Sequence, residues 1–101
     1  MNEKKYHYEI ESFLEPIFPD FLNDRKTDLE EEEQAVNKKD FKTLSLLGHK
    51  LAGNAGSYGL PELGDLGKEL ESSAHDENYD RCKEIHLQIK EFLENLTVDF
   101  I

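Results

Sequence analysis

Few side chains in this sequence could form a bond to a substrate: four histidines, one cysteine and a large stock of carboxylates. One histidine, His49, has unusual neighbours. At helical spacing, the positions i−4, i+3, i+4 and i+7 from it are Ser45, Ala52, Gly53 and Gly56, all small. Leu46, at i−3, is a lone apolar residue on the outer side. Lys42 lies two turns before His49 on nearly the same line. A ring standing in a trough of small side chains is open to a large partner. Gly53 and Gly56 would let another protein approach the helix backbone, with Leu46 as a greasy contact beside the ring.

A general base wants an orienting carboxylate and a pocket, and the sequence around His49 shows neither. A metal site needs further ligands, yet His7, His49, His75 and His86 show no i, i+4 pairing. A nucleophile toward phosphorus needs only an exposed neutral imidazole nitrogen and in-line geometry. The partner can bring the metal and the phosphoryl group. Lys42 would then attract the phosphoryl oxygens. His7, His75 and His86 read as ordinary surface or boundary residues, Cys82 as a small buried hydrophobe, and Tyr58 as core. The run Glu30–Glu33 reads as a solvated face, with no spacing for a closed oxygen cage around a cation.

The elements that must position these residues are helices. Gly and Pro are few, β-branched residues form no alternating runs, and apolar residues recur at steps of three and four. Phe18, Leu22, Leu29 and Val36 predict a helix over about 20–38. Phe41, Leu44, Gly48, Leu51, Ala55 and Tyr58 predict one over about 41–58, with Asp40 as N-cap and Gly59 as stop. Leu63, Leu66, Leu70 and Ala74 predict one over about 61–74, opened by Pro61. Cys82, Ile85, Ile89, Phe92 and Leu96 predict one over about 77–97, capped by Asp76. Tyr6, Ile10, Phe13, Leu14 and Ile17 suggest a short extra helix over about 4–14. Short connections favour antiparallel neighbours. The expected fold is all-α: an antiparallel, up-down four-helix bundle with a short extra N-terminal helix, forming a single domain over residues 1–101.

Gly48, Gly53 and Gly56 each cost about 1 kcal/mol against Ala in a helix interior. Gly48 falls on the buried stripe, where it would allow close helix–helix approach. His49 lies about 130° from the centre of that stripe and faces solvent. Gly53 and Gly56 belong to the open trough beside it.

The chain has 101 residues, with 23 Asp+Glu against 12 Lys+Arg and a formal net charge of −11. That length holds one core and no second catalytic domain. The charge argues against nucleic acid and against an anionic membrane surface, since both need a basic face. No apolar run approaches the roughly 18 residues of a spanning helix, and no signal peptide is evident. A single cysteine excludes an internal disulfide, so a cytoplasmic location is expected. The 41–61 stretch contradicts the general acidity: it contains Lys42 and Lys50 and no Asp or Glu.

The stretch from His49 to Leu60, with Leu51, Gly53 and Gly59 at their places, resembles the signature of histidine phosphotransfer (HPt) domains. That pattern is roughly His-x-Leu-Lys-Gly-Ser-x-x-x-x-Gly. Asp40 lies where the family often has an Asp opening the helix. Leu66 through Glu71, followed by Ser72, resembles the Leu-x-x-x-Leu-Glu segment of the next helix, and Pro19-x-Phe21-Leu22 the start of the preceding one. The resemblance covers about residues 16–75. One position departs: the family commonly carries Lys three residues after the histidine, where this chain has Ala52. Lys50 lies about 100° from His49 and is an imperfect substitute, while Lys42 and Ser45 lie closer in angle.

The resemblance implies a phosphorelay intermediate in a two-component system. His49 would accept a phosphoryl group from the aspartyl phosphate of a response-regulator receiver domain, or from a sensor histidine kinase, and pass it to another receiver. It implies no kinase activity, no cofactor and no metal of its own, with Mg²⁺ on the receiver, and a monomer as the working form. Lys42, Ser45, Leu46, Lys50, Ala52, Gly53 and Gly56 are the expected contacts to the phosphoryl group or partner. Two other readings remain open at this point. One is an HPt-like module that binds and sequesters a receiver or kinase without taking phosphate. The other is a helical scaffold whose acidic face binds a basic partner.

Overall fold

The computed structural model describes residues 5–101. Helix α1 (Phe18–Lys38) carries Pro19 in its first turn, where a missing N–H breaks no hydrogen bond. It ends at Lys39, whose left-handed backbone (φ 55°) reverses the chain. The next residue already caps α2 (Phe41–Asn54). The Asp40 carboxylate accepts from the Thr43 hydroxyl at 2.7 Å and from the Thr43 N–H at 3.1 Å. Those bonds, the hydroxyl's first, hold the Asp40 carboxyl below the usual carboxylate range.

The helix expected over 41–58 stops at Asn54, and a single 3₁₀ turn, Gly56–Tyr58, follows. Gly59 (φ 81°) closes that turn in a conformation that favours glycine. Helix α3 (Pro61–His75) opens on Pro61 as expected. Helix α4 (Tyr79–Glu94) is capped by Asn78, which accepts from the Arg81 N–H at 3.1 Å, and not by Asp76. Short connections make successive helices antiparallel neighbours, and α1 also packs on α4, closing the four-helix bundle. Leu44, Leu63, Leu70, Ile85, Ile89 and Phe92 fill its centre, with Cys82 fully buried among them. Tyr58 is half-buried and stacks on Phe21, ring centroids 4.1 Å apart.

The N-terminal helix is the expectation the structure overturns. Residue 4, its first position, lies outside the described residues. From Tyr6 the chain is a strand, β1 (Tyr6–Ile10), followed by a 3₁₀ turn at Ser12–Leu14. It pairs in parallel with β2 (Leu96–Phe100), in register Tyr6 with Leu96 through Ile10 with Phe100. The fold is therefore mostly helical with a two-stranded sheet across both ends of the chain. Tyr6, Tyr8 and Ile10 alternate with His7 and Glu9, as Leu96, Val98 and Phe100 alternate with Thr97 and Asp99. That period of two puts one face of each strand on the bundle. Tyr6 meets Phe92 at 4.4 Å between ring centroids, and Phe100 meets Phe18 at 5.6 Å. Tyr8 donates its hydroxyl to Glu62 at 2.8 Å. Burial first, then Glu62, pushes the Tyr8 pKa up to about 12.

Two residues read as solvent-facing are inside. Glu32 and His86 are 3% and 4% exposed, and His86 Nδ1 lies 2.6 Å from Glu32 Oε1 across the α1–α4 contact. The apolar stripes of both helices are narrow enough that one polar pair completes the seam. Burial pushes the Glu32 carboxyl above its usual range, and the His86 hydrogen bond and charge offset part of that rise.

The folded chain therefore holds this proton where the unfolded chain has lost it. The resulting stability is complete below the unfolded Glu value and fades as pH rises through the folded one. Glu32→Gln keeps an acceptor for His86 and cannot ionise. From acid toward neutral pH its melting temperature gains on wild type. Parallel melting curves across that range would contradict the assignment.

Candidate functional site

Helices α2 and α3 form the most intimate contact in the bundle, and glycine makes it possible. A Cβ at Gly48 would lie 2.6 Å from the Glu71 backbone nitrogen and 2.7 Å from the Gly67 carbonyl oxygen. A Cβ at Gly67 would lie 2.6 Å from the Ala52 nitrogen and 2.9 Å from the Gly48 oxygen. Real Cβ atoms do not approach backbone so closely, so the two helix backbones touch because side chains are missing. The expected role of Gly48 is met. Gly53 and Gly56 differ from it: a Cβ at either meets nothing within 4 Å. Packing does not require these two glycines, and the surface above them is open.

The close crossing sets what stands beside His49. The histidine side chain is 76% exposed, on the outer flank of α2. Its Nδ1 lies 3.0 Å from Oε2 of Glu71, which reaches across from α3. The expectation of a histidine without an orienting carboxylate is thus corrected. The carboxylate comes from 22 residues further along the chain. With Nδ1 donating to Glu71, the neutral ring carries its lone pair on Nε2.

The other expected contacts are divided. Lys42, Ser45 and Leu46 line a shallow cleft of about 330 Å³ with Phe41, Ala74, His75 and Glu77, beside the start of α2. Leu46 is 63% exposed there. Lys50 turns the other way. Its ammonium donates to Asp28 of α1 at 3.1 Å, and the second oxygen of Asp28 takes the buried Arg25 at 3.0 Å. Lys50 ties α1 to α2 and does not accompany His49. Ala52 is half-buried under Gly67. Among the described residues, no group of three His, Cys, Asp or Glu side chains is placed to hold a metal ion. No described helix is long and apolar enough to cross a membrane.

Glu71 is the site residue that local spacing around His49 misses. The signal for it is indirect. Gly48 and Gly67 are small residues on buried stripes of successive helices, and matching them places Glu71 one turn beyond the crossing.

Fold and site together define a four-helix bundle that presents one carboxylate-anchored histidine on an open, glycine-lined face. The family model of the Hpt domain matches residues 17–97, and the chain belongs to that family. Membership carries a general function, histidine phosphotransfer in phosphorelays, in which Hpt domains meet receiver domains and kinases. No curated protein and no solved structure matches the chain.

Proposed function

We propose that His49 is the phosphoryl-accepting residue. It takes the group from a receiver's aspartyl phosphate, or from a histidine kinase, and passes it to another receiver. The observation that carries this is the anchored ring: Nδ1 held by Glu71 at 3.0 Å, on a side chain 76% exposed. Nε2 then attacks the phosphorus in line. The N–P bond forms as the P–O bond to the aspartyl oxygen breaks, and the carboxylate leaves with the bonding pair. The ring becomes cationic, still carrying its Nδ1 proton, and the Glu71 carboxylate balances that charge as it develops. Donation to the next receiver runs the same step backward.

This reading assigns Mg²⁺ to the partner's acidic pocket and no cofactor to this chain. A cytoplasmic monomer fits it, because docking needs only the His49 face. The 41–61 stretch that carries His49 contains none of the chain's Asp or Glu residues. Lys42, Ser45 and Leu46 supply a contact cleft for the partner. Gly53 and Gly56 let its surface approach the α2 backbone.

The test is transfer of label from a phosphorylated receiver domain to the chain. The product is acid-labile and stable in alkali, as an N–P bond requires, and His49→Gln takes none. Glu71→Gln keeps the hydrogen bond and loses the charge. It slows acceptance by about fivefold, since an exposed charge-assisted bond exceeds a neutral one by roughly 1 kcal/mol. Single-turnover transfer measures this, and an unchanged rate would remove Glu71 from the mechanism.

A further inference from the structure

A phosphoryl group on His49 would bring close to two negative charges to a ring that already has the Glu71 carboxylate against it. The Glu71 carboxylate is matched by the ring cation, so the phosphoryl oxygens are left needing a cation of their own nearby. Helix α2 does not provide one. Lys50 is held by Asp28 at 3.1 Å, and Ala52 has only a methyl group. Lys42 lies seven residues before His49, a rise of about 10.5 Å along the helix.

Helix α3 does provide one. The glycine contacts establish how the two helices face each other. Gly64 lies against Ala52, Ala55 and Gly56, Gly67 against Gly48 and Ala52, and the Glu71 backbone against Gly48. Lys68 is four residues after Gly64 and three before Glu71. At 100° per residue, Gly64, Lys68 and Glu71 fall within about 60° of one another, on the flank of α3 that borders α2. Residues three apart on a helix have Cβ atoms about 5–6 Å apart, so Lys68 stands one turn from the carboxylate that touches His49. Ala52 stands one turn from His49 on α2, and its small side chain leaves the space between them open. Lys68 is exposed and makes no ion pair among the described residues.

We propose that Lys68 is the phosphoryl-binding cation of this site, its ammonium reaching over Ala52 to the oxygens of a phosphoryl group on His49 Nε2. The proposal rests on His49 being the acceptor. The cation then comes from the neighbouring helix, and Glu71 and Lys68, one turn apart, take opposite sides of the reaction: one the ring charge, the other the phosphoryl charge.

The experiment is the equilibrium ratio of phosphorylated chain to phosphorylated receiver, measured with wild type, Lys68→Gln, Lys68→Arg and Lys83→Gln. The ratio is a property of the two free proteins, so a contact between Lys68 and the docked receiver cannot move it. Lys68→Gln should shift it about fivefold toward the receiver, the factor that roughly 1 kcal/mol of partly screened attraction gives. Lys68→Arg should restore it, and Lys83→Gln, at an exposed position of α4 away from the site, should leave it within about twofold of wild type. Circular dichroism confirms that the exposed substitutions leave the helices intact. A ratio for Lys68→Gln equal to wild type, or no rescue by Arg, overturns the assignment. A wild-type chain that takes no label overturns instead the reading of His49 beneath it.

Discussion

His49→Gln abolishes phosphoryl acceptance while leaving the bundle folded. The ring is 76% exposed, and no residue packs upon it as core, so its removal costs the fold little. The loss of function is total because no other histidine combines an Nδ1 held by a carboxylate with an exposed Nε2. His86 is buried against Glu32, with Nε2 enclosed and unpartnered among the described residues. His7 sits in β1 between Thr97 at 2.8 Å and Asp99 at 3.1 Å, at the sheet. His75 is exposed at the end of α3, beside the cleft that Lys42 and Leu46 line. It is the one rival on the same face. Label surviving His49→Gln and lost in His75→Gln would move the site to the cleft. Label absent only from His49→Gln places it at the Glu71 contact. Thermal melts of both variants within about 2 °C of wild type show that the result is chemical and not structural.

Gly67→Ala produces the largest loss of stability among small substitutions. The new methyl group would stand 2.6 Å from the Ala52 nitrogen and 2.9 Å from the Gly48 oxygen. Both are backbone atoms inside helices, so neither can swing aside. The helices must separate, at a cost of about 3 kcal/mol, to which the better helix propensity of Ala returns about 1 kcal/mol. A domain of this size has roughly 5–15 kcal/mol in all. The midpoint should therefore fall by about 10 °C. Gly48→Ala behaves alike, since its methyl would meet the Glu71 nitrogen at 2.6 Å. Gly53→Ala is the control. Its methyl meets nothing within 4 Å, so the midpoint holds or rises slightly. Equal melting of all three variants would mean that the α2–α3 contact is looser than the structure shows. The effect extends to chemistry. Glu71 reaches His49 only while the helices touch, so a Gly67→Ala protein kept below its midpoint should also accept phosphate more slowly.

The four helices follow from apolar spacing, because each buries one stripe and the stripe has the period of the helix. Their starts follow too where the cap is local, as at Asp40 and Pro61. Asn78 in place of Asp76 is a shift of two residues between equally suitable caps. The strands escape a local reading for a physical reason. Tyr6, Ile10, Phe13 and Leu14 also fit a helical stripe. The alternation that marks β1 has meaning only beside β2, about 90 residues away. His86 and Glu32 escape it likewise. Each looks like a charged residue on a polar face until the other helix is placed opposite it.

The sequence by itself determined the helices, the trough of small residues around His49, and the family to which the chain belongs. Those properties are written in residues within a turn or two of each other, and local geometry expresses them without help. Only the tertiary structure decided which nitrogen of His49 is held, because Glu71 comes from the next helix. It also decided that Lys50 serves α1 instead of the site, because Asp28 lies 22 residues before it. The acidity follows the same division. The −11 charge is a sum over the chain, and so is visible in composition. The one carboxylate that matters to His49 is a matter of packing, set by two glycines that let the backbones of α2 and α3 meet.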